Sequence, residues 1–307
     1  VLIMFTVGTV IGATQAFWIA YVRIPPFIVT LAGMLIFRGL SNVVLNGLTV
    51  SLNGEKYAGF IKFFGGGADC YVPDFIAKIL KLNLSINITC LIVGFLAVAA
   101  YLAFEILGRV RRTSKGYEVE KMVPWAIKLV LISAVVIIVT FLLAEFKGLP
   151  SVLLIVMIVV AIYTYITSNT TVGRYFYAVG GNEKATKLSG INTNLTYFLA
   201  YTNMGFLAAL AGMITIARMT SAQPTYGQNY EMDAIASCFI GGASAYGGIG
   251  TVPGAIIGAT LMGVINLGML IMGVDQNMQK VVKGLVLLAA VIFDVVSKRG
   301  FKLMAKN

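Results

Sequence analysis

Charged side chains are scarce inside the apolar runs of this chain, so those that occur there are the first candidates for chemistry. Arg38 sits near the middle of the run 27–46. A cation at that depth costs about 2.5–3.5 kcal/mol on insertion scales, and such residues face a cavity or a partner. Glu231 and Asp233, just before the run 234–248, are the acids that could pair with it. Acids at a helix start are also favoured by the macrodipole, so they make sense without a partner. Asn42, Asn46, Asn203 and Asn266 could hydrogen-bond a hydroxylated solute, or tie helices together, which is the commoner use of such amides. Histidine is absent, which excludes His-ligated metals and His-based acid–base catalysis. Cys70, Cys90 and Cys238 are too scattered for a metal motif or a disulfide framework. No metal and no cofactor are expected. No string of Asp, Glu or His runs through the apolar segments, so a proton relay has little support. A Gly-x-x-x-x-Gly-Lys-Ser/Thr phosphate loop is missing too, so any ATP must be handled by another chain.

Glycine supplies the second signal. Five glycines fall between Gly241 and Gly250, each weakening a continuous helix by about 1 kcal/mol relative to Ala. One reading is a cytoplasmic turn between two short spans. The other is a discontinuous helix whose unwound backbone lines a solute path, since irregular backbone survives at membrane depth only where it is buried or faces water. Under the second reading Gly241, Gly242 and Tyr246 join Arg38, Asn42, Asn203 and Asn266 along that path. The pairs Gly254/Gly258, Ala259/Gly263, Gly205/Ala209 and Ala208/Gly212 are spaced four apart, as in helices whose backbones pack closely.

The third signal is a short polar segment. After Gly180-Gly181, Asn182 is a good N-cap, Glu183 suits a first turn, Lys187 a last one and Gly190 a left-handed C-terminal position. These residues specify a surface helix of under two turns. It is either an amphipathic linker or the element with which a membrane subunit pushes against a soluble partner.

The elements that must position these residues are membrane spans. Of 307 residues 59% are hydrophobic and only 11% charged, against about a quarter charged in soluble domains. The charges, net +11, lie between long apolar runs rather than on one wet face. Disordered, fibrous and nucleic-acid-binding classes are therefore excluded. Runs long enough to cross a bilayer occur near 1–22, 27–46, 86–107, 125–145, 149–167, 194–217, 234–248, 255–272 and 281–296. The expected fold is an all-α polytopic bundle of about nine spans, a single transmembrane domain over 1–307. The first run is a span rather than a signal peptide, because Gly8, Gly12 and Gln15 interrupt it and no cleavage site follows. Since Val1 opens inside an apolar run, further spans are expected upstream.

Counted this way, one side receives Arg23, the segments 108–124 and 168–193 and the C-terminal tail. Together these hold 13 of the 23 basic residues, among them Arg109, Arg111, Arg112, Lys115, Lys121, Arg174, Lys298 and Lys306. The positive-inside rule makes that side the cytoplasm. The other side holds a large loop, 47–85, with Gly65-Gly66-Gly67 and Pro73.

Three stretches together resemble the sugar-type ABC importer permeases. They are Arg23-Ile-Pro-Pro-Phe…Phe37-Arg-Gly, Ala178-Val-Gly-Gly-Asn-Glu-Lys-Ala…Ser189-Gly-Ile and Asp233-Ala-Ile-Ala…Ile240-Gly-Gly-Ala-Ser…Gly254. Tyr117-Glu-Val-Glu, Ala144-Glu-Phe-Lys-Gly-Leu-Pro and Lys283-Gly-Leu-Val-Leu-Leu…Phe293-Asp-Val bring the likeness closest to the xylose and multiple-monosaccharide branch. The resemblance implies a non-enzymatic transport subunit in a bacterial inner membrane, surrounded by lipid and working by alternating access. Its implied partners are a cytoplasmic ABC ATPase, an extracytoplasmic sugar-binding protein and a second permease copy. Under it, Gly180, Gly181, Asn182, Glu183, Lys184, Ala185, Ser189 and Gly190 couple to the ATPase, and Glu231 and Asp233 mark where the binding protein docks. The competing functions are a secondary transporter of small polar solutes, and then a passive channel or a membrane scaffold.

Overall fold

The structure is a computed structural model that describes residues 1–52, 54–65, 70–74, 86–114, 116 and 122–304, with only the backbone of 104, 112 and 297–304. Gly66, Gly67, Lys115, Lys121, Tyr117-Glu-Val-Glu and Lys306 lie outside the described residues, as does the rest of the loop 47–85 beyond its described parts. The described elements are α1 (Leu2–Ala20), α2 (Pro26–Leu45), β1 (Val50–Ser51), α3 (Glu55–Phe63), α4 (Ile88–Ser114), α5 (Met122–Phe146) and α6 (Ser151–Asn169). They continue through α7 (Thr171–Gly181), α8 (Glu183–Leu188), α9 (Thr193–Met219), β2 (Ser221–Ala222), α10 (Tyr230–Ile240), α11 (Val252–Ile271) and α12 (Gln276–Met304). An all-α bundle is therefore what the chain forms. Its contacts group into two units, Val1–Tyr57 with Val156–Asn307, and Ala58–Ile155.

In the larger unit α1 lies along α9, and small residues let it do so. A Cβ on Gly8 would come within 2.5 Å of Ala209 Cβ, and one on Gly12 within 2.9 Å of Gly205 Cα. Phe5 stacks on Phe206 beside this contact, with ring centroids 4.7 Å apart, while Ala16, Ala20, Met213 and Ala217 are buried. The packing is that of membrane helices, where close backbone approach replaces the hydrophobic drive. α10 meets α11 in the same manner, since a Cβ on Gly258 would fall 2.0 Å from the Ser237 carbonyl oxygen. The spacing pairs Gly205/Ala209 and Gly254/Gly258 thus mark real contacts. A Cβ on Gly263 or Gly212 would meet nothing within 4 Å among the described residues, so the other two pairs do not use their glycines within this chain. β1 and β2 pair antiparallel, Val50 with Ala222 and Ser51 with Ser221, joining the segments that follow α2 and α9.

In the smaller unit α4 packs on α5 around Cys90, Ala144 and Leu149. Asp74 opens α4, its carboxylate accepting from Ile88 N at 2.7 Å and from the Thr89 hydroxyl at 2.6 Å.

Among the described residues seven helices are long and apolar enough to span: α1, α2, α4 (as Ile88–Arg111), α5, α6, α9 and α11. The expected count of about nine is not confirmed, and two of the expected runs are not among these seven. The run 234–248 is represented by α10, whose 11 residues reach about 16 Å at about 1.5 Å each, half of a hydrocarbon core of about 30 Å. The run 281–296 lies within α12, where Lys283 and Asp294 interrupt the apolar stretch.

The glycine contacts give a first expected result. Gly258→Leu should lower the thermal unfolding midpoint of detergent-solubilised protein, because overpacking a tight contact costs about 1–3 kcal/mol. Gly263→Ala, in open space on the same helix, should hold or slightly raise it.

Candidate functional site

The short polar helix is built as its residues specify. Asn182 ends α7 and caps α8, its side-chain oxygen accepting from Ala185 N at 3.0 Å. Gly190 turns the chain at φ +83°, in the left-handed region, and its N–H closes the helix on the Lys187 carbonyl at 3.1 Å. Thr186 is buried against the unit while Lys184, Ala185, Lys187, Leu188 and Ser189 face outward. Leu188 is 89% exposed. It shares a face with Lys184 and Ala185, four and three residues back. Sequence reading misses Leu188, although an apolar residue in a six-residue polar helix, two positions from the one buried threonine, is a usable signal. Glu183 is tied to Arg23, whose hydrogen bond holds the Glu183 carboxyl below the usual carboxylate range.

The glycine-rich segment backs onto this helix pair. α10 ends at Ile240, with Gly241 as its C-cap, and helix resumes at Val252, so the expected break is present. Gly247 and Gly248, at φ +83° and +72°, lie so close to Gly180 and Gly181 that a Cβ on Gly248 would stand 2.7 Å from Gly181 Cα. Tyr177 donates its hydroxyl to the Gly250 carbonyl at 2.8 Å, and Ala245 N donates to Asp294 at 3.3 Å. Two groups of residues that sequence reading keeps apart, Gly180-Gly181 and the end of the Gly241–Gly250 loop, are thereby in contact. Gly241 itself packs on Gly254, Gly242 has open space beside it, and Tyr246 is exposed.

At the other half of the unit the ionised groups find partners. Arg38 Nη2 donates to Glu231 Oε1 at 2.9 Å, and Lys283 Nζ donates to Asp233 Oδ2 at 2.8 Å. Asn266 Nδ2 adds a bond to the same Asp233 oxygen at 3.3 Å. The partner of Arg38 is thus Glu231 rather than Asp233. Both acids named as docking residues are engaged within the chain, fastening the start of α10 to α2 on one side and to α11 and α12 on the other. Asn203 accepts from the Tyr163 hydroxyl and ties α9 to α6. Asn42 bonds the Arg38 carbonyl within its own helix, and Asn46 takes the left-handed C-terminal position of α2.

Between α9 and α10 the chain is also irregular, with Thr220 and Asn229 at positive φ. Together with α2 and α9 this stretch lines a cavity of about 480 Å³, where Ser41, Thr215, Gln223, Tyr226 and Tyr230 are the polar side chains. Sequence reading gives this stretch no role, because Gln223, Tyr226 and Gly227 look like loop residues on any scale.

A family profile described as "Branched-chain amino acid transport system / permease component" matches residues 1–291. The chain belongs to this family. It is 36% identical over 292 residues to the xylose transport system permease protein XylH of Haemophilus influenzae, covering 95% of this chain and 72% of that one. To XylH of Escherichia coli K12 it is 33% identical over 299 residues, 97% of this chain and 71% of the relative. The ribose import permease protein RbsC of Escherichia coli K12 is 47% identical over 147 residues, 48% of this chain and 46% of RbsC. No solved structure matches the chain.

The permease is therefore a multi-pass membrane transport subunit and not an enzyme. Its Arg38–Glu231 pair holds the start of α10 against α2, fixing the two helices relative to each other. Arg38→Ala should lower transport about tenfold with the protein still folded, and Arg38→Glu with Glu231→Arg should recover part of it. Transport assays of these variants at matched membrane abundance check this. Full activity in Arg38→Ala would remove the pair from the working machinery.

Proposed function

We propose that this permease is the membrane subunit of an ATP-driven importer of monosaccharides, of the pentose class to which xylose belongs. What carries the reading is identity of 33–36% to two xylose permeases over nearly the whole chain. A separate ATPase would dock on the end that bears α8. Support for this comes from the exposed Leu188 and from the concentration of Arg23, Lys184 and Lys187 there, which the positive-inside rule assigns to the cytoplasm of a bacterial inner membrane. A sugar-binding protein would deliver its load at the opposite end, and two permease copies would enclose the path. ATP binding would move α8, and the bundle would alternate between inward- and outward-open states. Arg38, Asn42, Asn203, Gly241, Gly242, Tyr246 and Asn266 remain the proposed path residues, with Ser41 and Gln223 added from the cavity.

A second cargo has one observation in its favour, since the family's description names branched-chain amino acids. Proteoliposomes holding the permease, its ATPase and its binding protein separate the two. ATP-dependent uptake of labelled xylose, with no uptake of leucine, is expected. Uptake of leucine alone would favour the second cargo. Uptake driven by an ion gradient without the ATPase would overturn the importer reading.

A further inference from the structure

Arg23 sits in the joint between α1 and α2 at φ +65°, a region that residues other than glycine enter uncommonly. The joint is otherwise stiff. Val22 N donates to the Phe17 carbonyl at 3.4 Å and Ile24 N to the Trp18 carbonyl at 3.2 Å, and Pro25 and Pro26 open α2. The Arg23 side chain is thus aimed by a constrained backbone, and its guanidinium serves two further elements. Nη1 donates to Glu183, the first residue of α8. Nη2 donates to Asn194 Oδ1 and, at 3.4 Å, to Thr193 Oγ1 at the start of α9. The second Glu183 oxygen accepts from the Tyr197 hydroxyl at 3.2 Å, and the guanidinium carbon stands 5.9 Å from the Tyr197 ring centre.

Arg23 and Glu183 are 42% and 34% exposed at their side chains, and ion pairs in such places contribute little to stability. A strained backbone held for so small a stabilising return points to a working part. We infer that Arg23 is a positioning residue that transmits movement of α8 to the joint between α1 and α2. The inference rests on the importer reading above. α2 then acts as the rod. Twelve residues beyond Pro26 it carries Arg38, which is bonded to Glu231 at the start of the half-length helix α10. Glu183, Arg23, α2, Arg38 and Glu231 form one continuous series of contacts between the two halves of the unit. Contiguous packed and ion-paired elements of this kind can carry coupling between distant sites. The planar fork is essential, because one guanidinium holds acceptors on two elements with separate nitrogens, which a lysine ammonium does less well.

The test uses the permease with Cys70, Cys90 and Cys238 replaced by Ala and Ala211→Cys, at an exposed position lining the cavity, as a reporter. It is reconstituted with its ATPase and binding protein, and Arg23→Gln, Arg23→Lys and Arg23→Glu/Glu183→Arg are compared with the parent. Arg23→Gln should co-purify with the ATPase and hydrolyse ATP within about twofold of the parent. Its xylose uptake per ATP should fall about tenfold, and the ATP-dependent change in labelling rate at position 211 should vanish. Arg23→Lys should be intermediate, and the charge exchange should restore part of both readouts. Normal uptake per ATP in Arg23→Gln would overturn the inference. So would loss of ATPase binding in parallel with uptake, which is the mark of a merely structural strap. A parent whose labelling responds to ATP but which takes up neither xylose nor ribose would fault the sugar reading alone, with the reporter still judging Arg23. A parent with neither response would overturn the importer reading and this inference together.

Discussion

Leu188→Asp is expected to abolish association of the permease with its ATPase while leaving membrane insertion intact. Leu188 is 89% exposed on a six-residue helix. Isolated helices shorter than about 12 residues are marginal in water, so this one is held by its surroundings. The Asn182 cap and the buried Thr186 do that on its inner face. Its outer face is left for a partner. Burying one leucine gains about 1.5–3 kcal/mol. An aspartate in the same apolar contact adds a desolvation cost unless it finds a partner. At about 1.4 kcal/mol per factor of ten, affinity should fall by about a hundredfold or more. Ala185→Glu, one turn back on the same face, should act alike, whereas Lys187→Ala should change affinity by less than about tenfold. Co-purification from membranes, followed by titration of the ATPase onto reconstituted permease, reads the result. An unchanged affinity in Leu188→Asp would move the docking site away from α8.

How far the sequence disclosed these parts depends on the range of the forces involved. The cap at Asn182 and the left-handed Gly190 are set by neighbours within a few positions, and the four-residue spacing of Gly205/Ala209 and Gly254/Gly258 marks surfaces fit for close packing, so these were legible. The span at 234–248 was not, because composition reports apolarity while the helix itself stops at Gly241, after which Gly242 turns the chain at φ +87°. The meeting of Gly247-Gly248 with Gly180-Gly181 joins residues some seventy positions apart, and no local spacing encodes such a contact. Arg38 announced that it needed a partner, and two acids stood in reach. Choosing Glu231 over Asp233 required knowing that Lys283, fifty positions away, already held the other.

That second pair gives the other large effect. Lys283→Met should destabilise the permease by about 3 kcal/mol, the low end for removing one partner from a buried ion pair. The low end applies because the side chains of Lys283 and Asp233 are 18% and 24% exposed. The carboxylate left behind would keep only the Asn266 amide, and its other oxygen is already buried with no partner among the described residues. Replacing both charges, as Lys283→Met with Asp233→Asn, removes the stranded anion and should recover most of the loss, since exchanging a whole buried pair for neutral groups is often close to neutral. Unfolding midpoints in detergent measure the parent and both variants on one scale. If Lys283→Met matched the parent, water would be reaching Asp233 and the pair would not be what holds α10 at the junction of α11 and α12. If the double variant were as stable as the parent yet transported poorly, the charges would serve movement of α10 rather than its anchoring. That outcome would join Asp233 to Arg38 and Glu231 as parts of one mechanism acting on the half-length helix.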